Sequence, residues 1–388
     1  MRSGAVTLIL VLACVLSGPG RANGEQFSWK TATLAPDGIG WAKHMKDIIF
    51  PEMEKSTKGD LKVKVYWGGV MGDEEDYLAK MRIGQLQGAG LSAQGAVMAC
   101  PDLAVMELPF LFRNYYEVDY LRVKMDRTFI NIMEEKGLFL IGWIDQDFDQ
   151  IYSTDKPIRT VEDFKGSRFV TWYGPMEEIM LKRLDADVIP VNVPELATTI
   201  RQGIADYSIG PAVWVVGAQL YSKVKYVNPV KIRYSPAIII LTQEAWSQLP
   251  EEYSREFYQK RLELGWKYCN LVRKDNKKFL EAMVSYGVEE IKMDPEALKA
   301  LEDKTKQIYT TVEGKLFSDD ILEETMGHLN DYRAGKRLNL EDLKGMASMN
   351  DDVPLSPEFL QHMKTTLTKS LKEFNAGENK LVDLSDGN

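Results

Sequence analysis

Cysteine and histidine are nearly absent from this chain: three of each in 388 residues. His44, His328 and His362 fall in unrelated predicted helices, and none stands at the HExxH spacing of a catalytic zinc site. The Gly-x-Ser-x-Gly elbow, the GxGxxG turn and the phosphate-cradling loop are missing too. No Asp/Glu pair is marked out for glycoside hydrolysis. These absences argue against an enzyme and leave no cofactor to assign. The acids Asp145, Asp147 and Asp149 lie close together but lack the Gly and distal Glu of a calcium loop, so no metal site is expected. Basic residues are outnumbered 48 to 57, a net charge of −9, which excludes nucleic acid as a natural partner because phosphate neutralisation needs clustered Lys and Arg.

Long hydrophobic runs are also missing after the first two dozen residues. Arg2 followed by the apolar stretch Ala5–Leu16 has the form of a secretion signal, too short to span a bilayer. Small residues at Ala22-Asn23-Gly24 fit a cleavage site, giving a signal peptide over 1–24 and a periplasmic destination. Cys14, in Val-Leu-Ala-Cys, offers a second reading, a lipid anchor. Cys100 and Cys269 then remain. An oxidising compartment permits a disulfide between them, and the alternative is two buried thiols.

What is present is an ordinary globular composition, 45% apolar and 27% charged, in a chain long enough for two domains. Strand and helix signals alternate. Phe27–Leu34 and Lys62–Trp67 alternate as strands, Trp41–Lys58 is helical, and Ala89–Leu91 is a short buried strand leading to Leu91-Ser-Ala-Gln-Gly95 at a strand-to-helix junction. Arg168–Trp172, Val188–Val191 and Ile204–Gly210 are strands of a second unit, with helices at Met176–Leu184 and Val193–Gly203. Such βαβ repeats predict an open parallel sheet that binds ligand beyond the carboxyl ends of its strands. Trp172, Tyr173 and Gly210 stand at such ends. Glu251–Tyr286 reads as one helix stopped by Gly287, about 50 Å long and able to lie along both domains. Beyond a polar linker, Leu360, Met363, Leu367, Leu371 and Phe374 line one face of a C-terminal amphipathic helix, which either docks on its own protein or contacts a partner subunit.

Several motifs occur in a characteristic order: Gly69-Val-Met-Gly-Asp73, Leu108-Pro-Phe-Leu-Phe112, Gly142-Trp143, Pro157-Ile-Arg-Thr-x-Glu-Asp-Phe-Lys-Gly166, Glu195 before a helix ending Gln202-Gly203, and Trp246-Ser-Gln-Leu249. Together they resemble the DctP-type solute-binding proteins of tripartite ATP-independent periplasmic (TRAP) transporters, over about Phe27 to Gly335. The resemblance implies an α/β fold of two lobes with a hinge and a long helix bridging both. It also implies capture of a small organic solute in the interlobe cleft and delivery to TRAP membrane subunits. The expected division is 25–149 plus 234–265 for lobe I, 150–233 plus 266–338 for lobe II with the bridging helices, and 339–388 for the linker and terminal helix. A ligand-sensing protein acting with a sensor or an accessory lipoprotein is the alternative.

The family's polar anchors are replaced. Val170 stands where the carboxylate-binding Arg is expected, Asp149 where a second Arg is expected, and Gly210 where an Asn precedes Pro211. An Arg fork is suited to holding both oxygens of a carboxylate, so its loss points away from simple dicarboxylates and toward a neutral, cationic or largely apolar solute. Candidate ligand-binding residues are Trp172, Tyr173 and Trp214 as an aromatic wall, Asp149 with Phe148 beside it, Gln94, Gly210, Glu195 and Arg168. The aromatic wall with Asp149 would favour an amine. Asp149 is otherwise a solvated loop acid, and Arg168 otherwise pairs with Asp163 or Glu162.

Overall fold

A computed structural model describes residues 27–38, 40–172 and 174–338. The predicted signal peptide, the C-terminal helix and Tyr173 lie outside the described residues. Within them one mixed sheet runs through the molecule. Its strands are β1 (Phe27–Thr33), β2 (Leu61–Tyr66), β3 (Gly88–Leu91), β4 (Leu138–Ser153), β5 (Arg168–Thr171), β6 (Asp187–Pro190), β7 (Tyr207–Gly210), β8 (Tyr226–Thr242) and β9 (Glu289–Glu290). The order is β2-β1-β3-β8-β4-β7-β5-β6, with β9 beside β8.

The two predicted βαβ units are present as parallel sets, β1 with β2 and β3, and β5 with β6 and β7. They are joined by an antiparallel pair that sequence reading had seen only as short strands: Phe139–Trp143 extends to sixteen residues in β4, and Lys231–Thr242 to seventeen in β8. Both run from one half into the other, β3 edging β8 on one side and β7 edging β4 on the other. The wholly parallel sheet is therefore corrected to a mixed one, because two long crossing strands must run antiparallel to each other. The register of β4 on β8 slips at three points, one of them between Asp145 and Asp147. Asp147 there takes φ +131°, a left-handed region that a non-glycine residue occupies only under local strain.

The crossing pair carries a row of buried charge. Asp149 lies opposite Arg233 in the register, and the Arg233 guanidinium bonds the Asp149 carboxylate at 2.9 Å and Glu107 at 3.0 Å, all three fully buried. Ser235 Oγ donates to Asp149 at 2.6 Å. Four residues back along β4, Asp145 accepts from Tyr234 OH at 2.5 Å and from Arg273 at 2.6 Å, and pairs with Arg122. These cations, with its hydrogen bonds, pull the Asp145 carboxyl down to about 2 despite its burial.

The helix Glu251–Tyr286 is 36 residues long and ends at Gly287, whose φ of +116° only glycine adopts without strain. It packs on β4, on the helical segment 40–56 of one half and on the helix Ala212–Gly217 of the other. Two neighbouring residues make the link: Asp275 bonds His44 at 2.7 Å, and Asn276 accepts from the Ala212 amide at 2.6 Å. Cys100 and Cys269 are both buried and free.

Removing one member of the buried triad leaves the others uncompensated, which typically costs about 3–5 kcal/mol. Urea unfolding of Asp149→Ala should therefore show a loss of that order, whereas Asp149→Leu with Arg233→Met and Glu107→Leu, which removes all three buried groups, should lose less. A triple variant no more stable than the single one would contradict this.

Candidate functional site

The segment 40–56 is helical, with a π-turn over Met45–Ile49 between two α-helical pieces. π-turns recur at functional sites because the extra residue widens the turn and re-aims the face beneath it. Trp41, Met45, Ile49 and Met53, spaced by four, face the sheet. Opposite them stand alternate residues of β1 (Trp29, Thr31 and Thr33) and of β2 (Val63 and Val65), where the period-2 pleat puts them on one side. Between helix and sheet lies a cavity of about 230 Å³. It opens toward the other half, where Trp172 after β5, Val193, and Val213 and Trp214 of the helix Ala212–Gly217 close over it. Phe257 and Tyr268 of the long helix complete the wall.

The lining is aromatic and aliphatic with few polar groups: Thr31, Thr33, Glu74, Ser92, Gln146 and the indole nitrogens. Among the described lining residues there is no Lys, Arg or His. Glu74 is the only carboxylate. It accepts from the Ser92 amide and hydroxyl, both at 2.5 Å, and from the Gly95 amide at 2.8 Å. Burial outweighs those bonds and pushes its carboxyl up to about 7. Gln146 Oε1 is occupied by the Ala93 amide at 2.7 Å. The buried Trp41 indole N–H has no hydrogen-bond partner among the described residues.

The halves meet tightly at the mouth. A Cβ on Gly40, already at φ +48°, would come within 2.6 Å of Val213 Cγ2 across the gap. Gln94 sits opposite Gly174, 4.0 Å from where its Cβ would be, and Gln94 Oε1 is buried. Trp172 and Trp214 lie with ring centroids 5.7 Å apart.

The structure brings Trp172 and Trp214 together and places Gln94 at the seam. It puts other candidates elsewhere. Asp149 is not in the cleft or in solvent but behind it, neutralised by Arg233, so the proposed amine-binding carboxylate is a structural ion. Phe148 packs in the core against Tyr234 and Tyr115. Arg168 is exposed and pairs with Asp206 at 2.5 Å, neither in the cleft nor with Asp163 or Glu162. Glu195 is exposed in the first turn of its helix and does not line the cavity, because Val193 takes the inward position. Gly210 is buried in β7 opposite Gln150, outside the lining. Val170, in place of the expected Arg, is buried in the core beside Trp172. Sequence reading placed Trp41, Met45, Ile48, Ile49 and Met53 on one side of a helix and gave that side no role. Its two methionines and one tryptophan facing an alternating strand were the available signal for a wall that must adapt to a guest.

An α/β sheet of two halves joined by two crossing strands, with a cavity between them, defines a two-lobed binding protein. A model of the bacterial extracellular solute-binding proteins, family 7 (DctP), matches residues 36–315. The chain belongs to that family, the solute receptors of TRAP transporters. The 2,3-diketo-L-gulonate-binding periplasmic protein YiaO of Escherichia coli is 23% identical over 271 residues, 70% of this chain and 81% of that one. The sugar-acid-binding protein DctPAm of Advenella mimigardefordensis, solved with galactonate, superposes with a TM-score of 0.73 at 18% identity, covering 78% of this chain and 98% of that one. A TRAP solute-binding protein of Sulfurospirillum deleyianum with bound succinate gives 0.70 at 18% identity, over 78% and 99%. No helix among the described residues is long and apolar enough to cross a membrane.

Two predictions follow from the site's geometry and charge. Gly40→Ala should hold the lobes apart and weaken solute binding at least tenfold, read by titration calorimetry, and should lower Tm as well, because alanine is strained at φ +48°. Glu74, Glu107 and Asp147 are raised by burial to about 7, 8 and 7. The folded chain therefore holds more protons than the unfolded one between about pH 4.5 and 8, and stability falls as pH rises through that window. His328, held below its usual value by burial, works in the opposite sense but is one proton against three. Tm should be higher at pH 5 than at pH 8, and Glu74→Gln should flatten the slope. A Tm that climbs steadily to pH 8 would contradict it.

Proposed function

We propose that this protein captures an uncharged, largely apolar organic solute and presents it to a TRAP membrane component. The observation that carries the specificity is an interlobe cavity walled by aromatic and aliphatic side chains, with no cation among its described lining residues. A dicarboxylate entering it would lose its hydration without gaining a guanidinium, and an unpaired buried charge is prohibitively costly. The relatives' sugar acids and succinate therefore guide the mode of capture here and not the chemistry of the guest.

Trp172 and Trp214 are the ligand-contacting pair, with Gln94 at the rim. The hinge divides the chain near 149/150 and 233/234. The buried Asp149–Arg233 pair supports that division, since it falls at both points. The chain acts as a receptor and not as an enzyme. It reaches the periplasm through the signal peptide over residues 1–24, either free or anchored at Cys14.

Differential scanning fluorimetry tests this reading. An uncharged apolar solute at 100 times its Kd should add about 2.7 kcal/mol, succinate should add nothing, and Trp172→Ala should cost at least tenfold in affinity. Stabilisation by succinate would overturn the assignment.

A further inference from the structure

We infer that the solute is an elongated aliphatic amphiphile, held with one uncharged polar head at the lobe interface and its tail threaded into lobe I beneath the π-turn. The inference rests on the receptor reading and specifies its ligand. The cavity is not a cleft alone. From Trp41 to Met53 the helical wall extends about 18 Å, and from Phe257 to Tyr268 on the long helix about 16 Å, at 1.5 Å per residue. The β1 wall from Thr33 to Trp29 gives about 13 Å at 3.3 Å per residue. A volume of 230 Å³ drawn out over such a length is narrow. It exceeds the ~150 Å³ apolar cavity that holds one benzene ring.

Polarity is graded along this channel. Glu74, Ser92 and Gln146 cluster where β3 and β4 approach the other lobe. The far end is Ile49, Met53, Val63, Leu241 and Phe257, with the indole N–H of Trp29, the register partner of Val63, as its one polar group among the described residues. The groups near the mouth suit a hydroxyl, amide or protonated acid. Gln146 and Trp41 bring N–H groups, and the Glu74 carboxyl, raised to about 7, is a donor when protonated and an acceptor when not. A compact polyol would leave the inner end unfilled and place most of its hydroxyls against aliphatic carbon, where nothing bonds them. A hydrocarbon tail meets the whole length. Met45 and Met53, flexible and unbranched, can adjust to tails of different shape.

The test uses the purified chain and unbranched primary alcohols of six to fourteen carbons. Five tryptophans line the cavity, Trp29, Trp41, Trp67, Trp172 and Trp214, so intrinsic fluorescence reports filling. Affinity should rise about three- to fourfold per added methylene and then level off where the tail reaches Phe257. Val63→Phe, which shortens the inner end, should move that plateau to shorter chains, with Tm confirming the fold. Affinity that is flat with chain length, or a plateau unmoved by Val63→Phe, overturns the inference. Binding of an uncharged compact sugar in place of the alcohols, lost in Trp172→Ala, overturns it too, but leaves the receptor reading standing. Succinate binding sinks both.

Discussion

The pairing of β4 with β8 is the constraint on which the molecule depends. Each strand belongs to both halves, so every other strand is ordered relative to these two. Their crossing region is buried and yet carries Asp145, Asp147, Asp149 and Arg233. Such charges are tolerated only when matched. The matching draws in Glu107, Arg122 and Arg273 from the helices packed on the sheet. The same matching explains why the cavity can be so poor in charge: the acids and bases of the central strands are spent on one another behind it.

The site follows from how the two parallel sets meet at that crossing. Strand ends and following turns converge on the seam, as they do in open α/β sheets generally. Trp172 arrives on the turn after β5 and Trp214 on the helix after β7, while helix 40–56 closes from the other side. Gly40 permits the approach, since any side chain there would strike Val213. The family's architecture is kept, and the described lining of the cavity is aromatic and aliphatic.

Much of this was legible before the structure. Strand and helix alternation located both parallel units, and the long helix was bounded correctly at Gly287, because periodicity and a left-handed glycine stop are local signals. The substitution of Val170 foretold the missing guanidinium. Asp149 was misplaced, since its partner Arg233 lies 84 residues away and only strand pairing brings them together. The lengths of β4 and β8 were hidden for a related reason. Asp145-Gln-Asp-Phe-Asp149 looks like a solvated loop until buried cations are placed beside it. The wall formed by Trp41, Met45 and Met53 was visible as an apolar face, but a lone helix does not disclose whether that face meets packed atoms or open space.

Asp275 and Asn276 sit side by side on the long helix and hold opposite lobes, one through His44 and the other through the Ala212 amide. A rotation of one lobe against the other stretches at least one of these bonds, so a single helical turn registers the angle between them. The whole helix runs 36 residues, Glu251–Tyr286, so both bonds sit on one continuous element that the two lobes share.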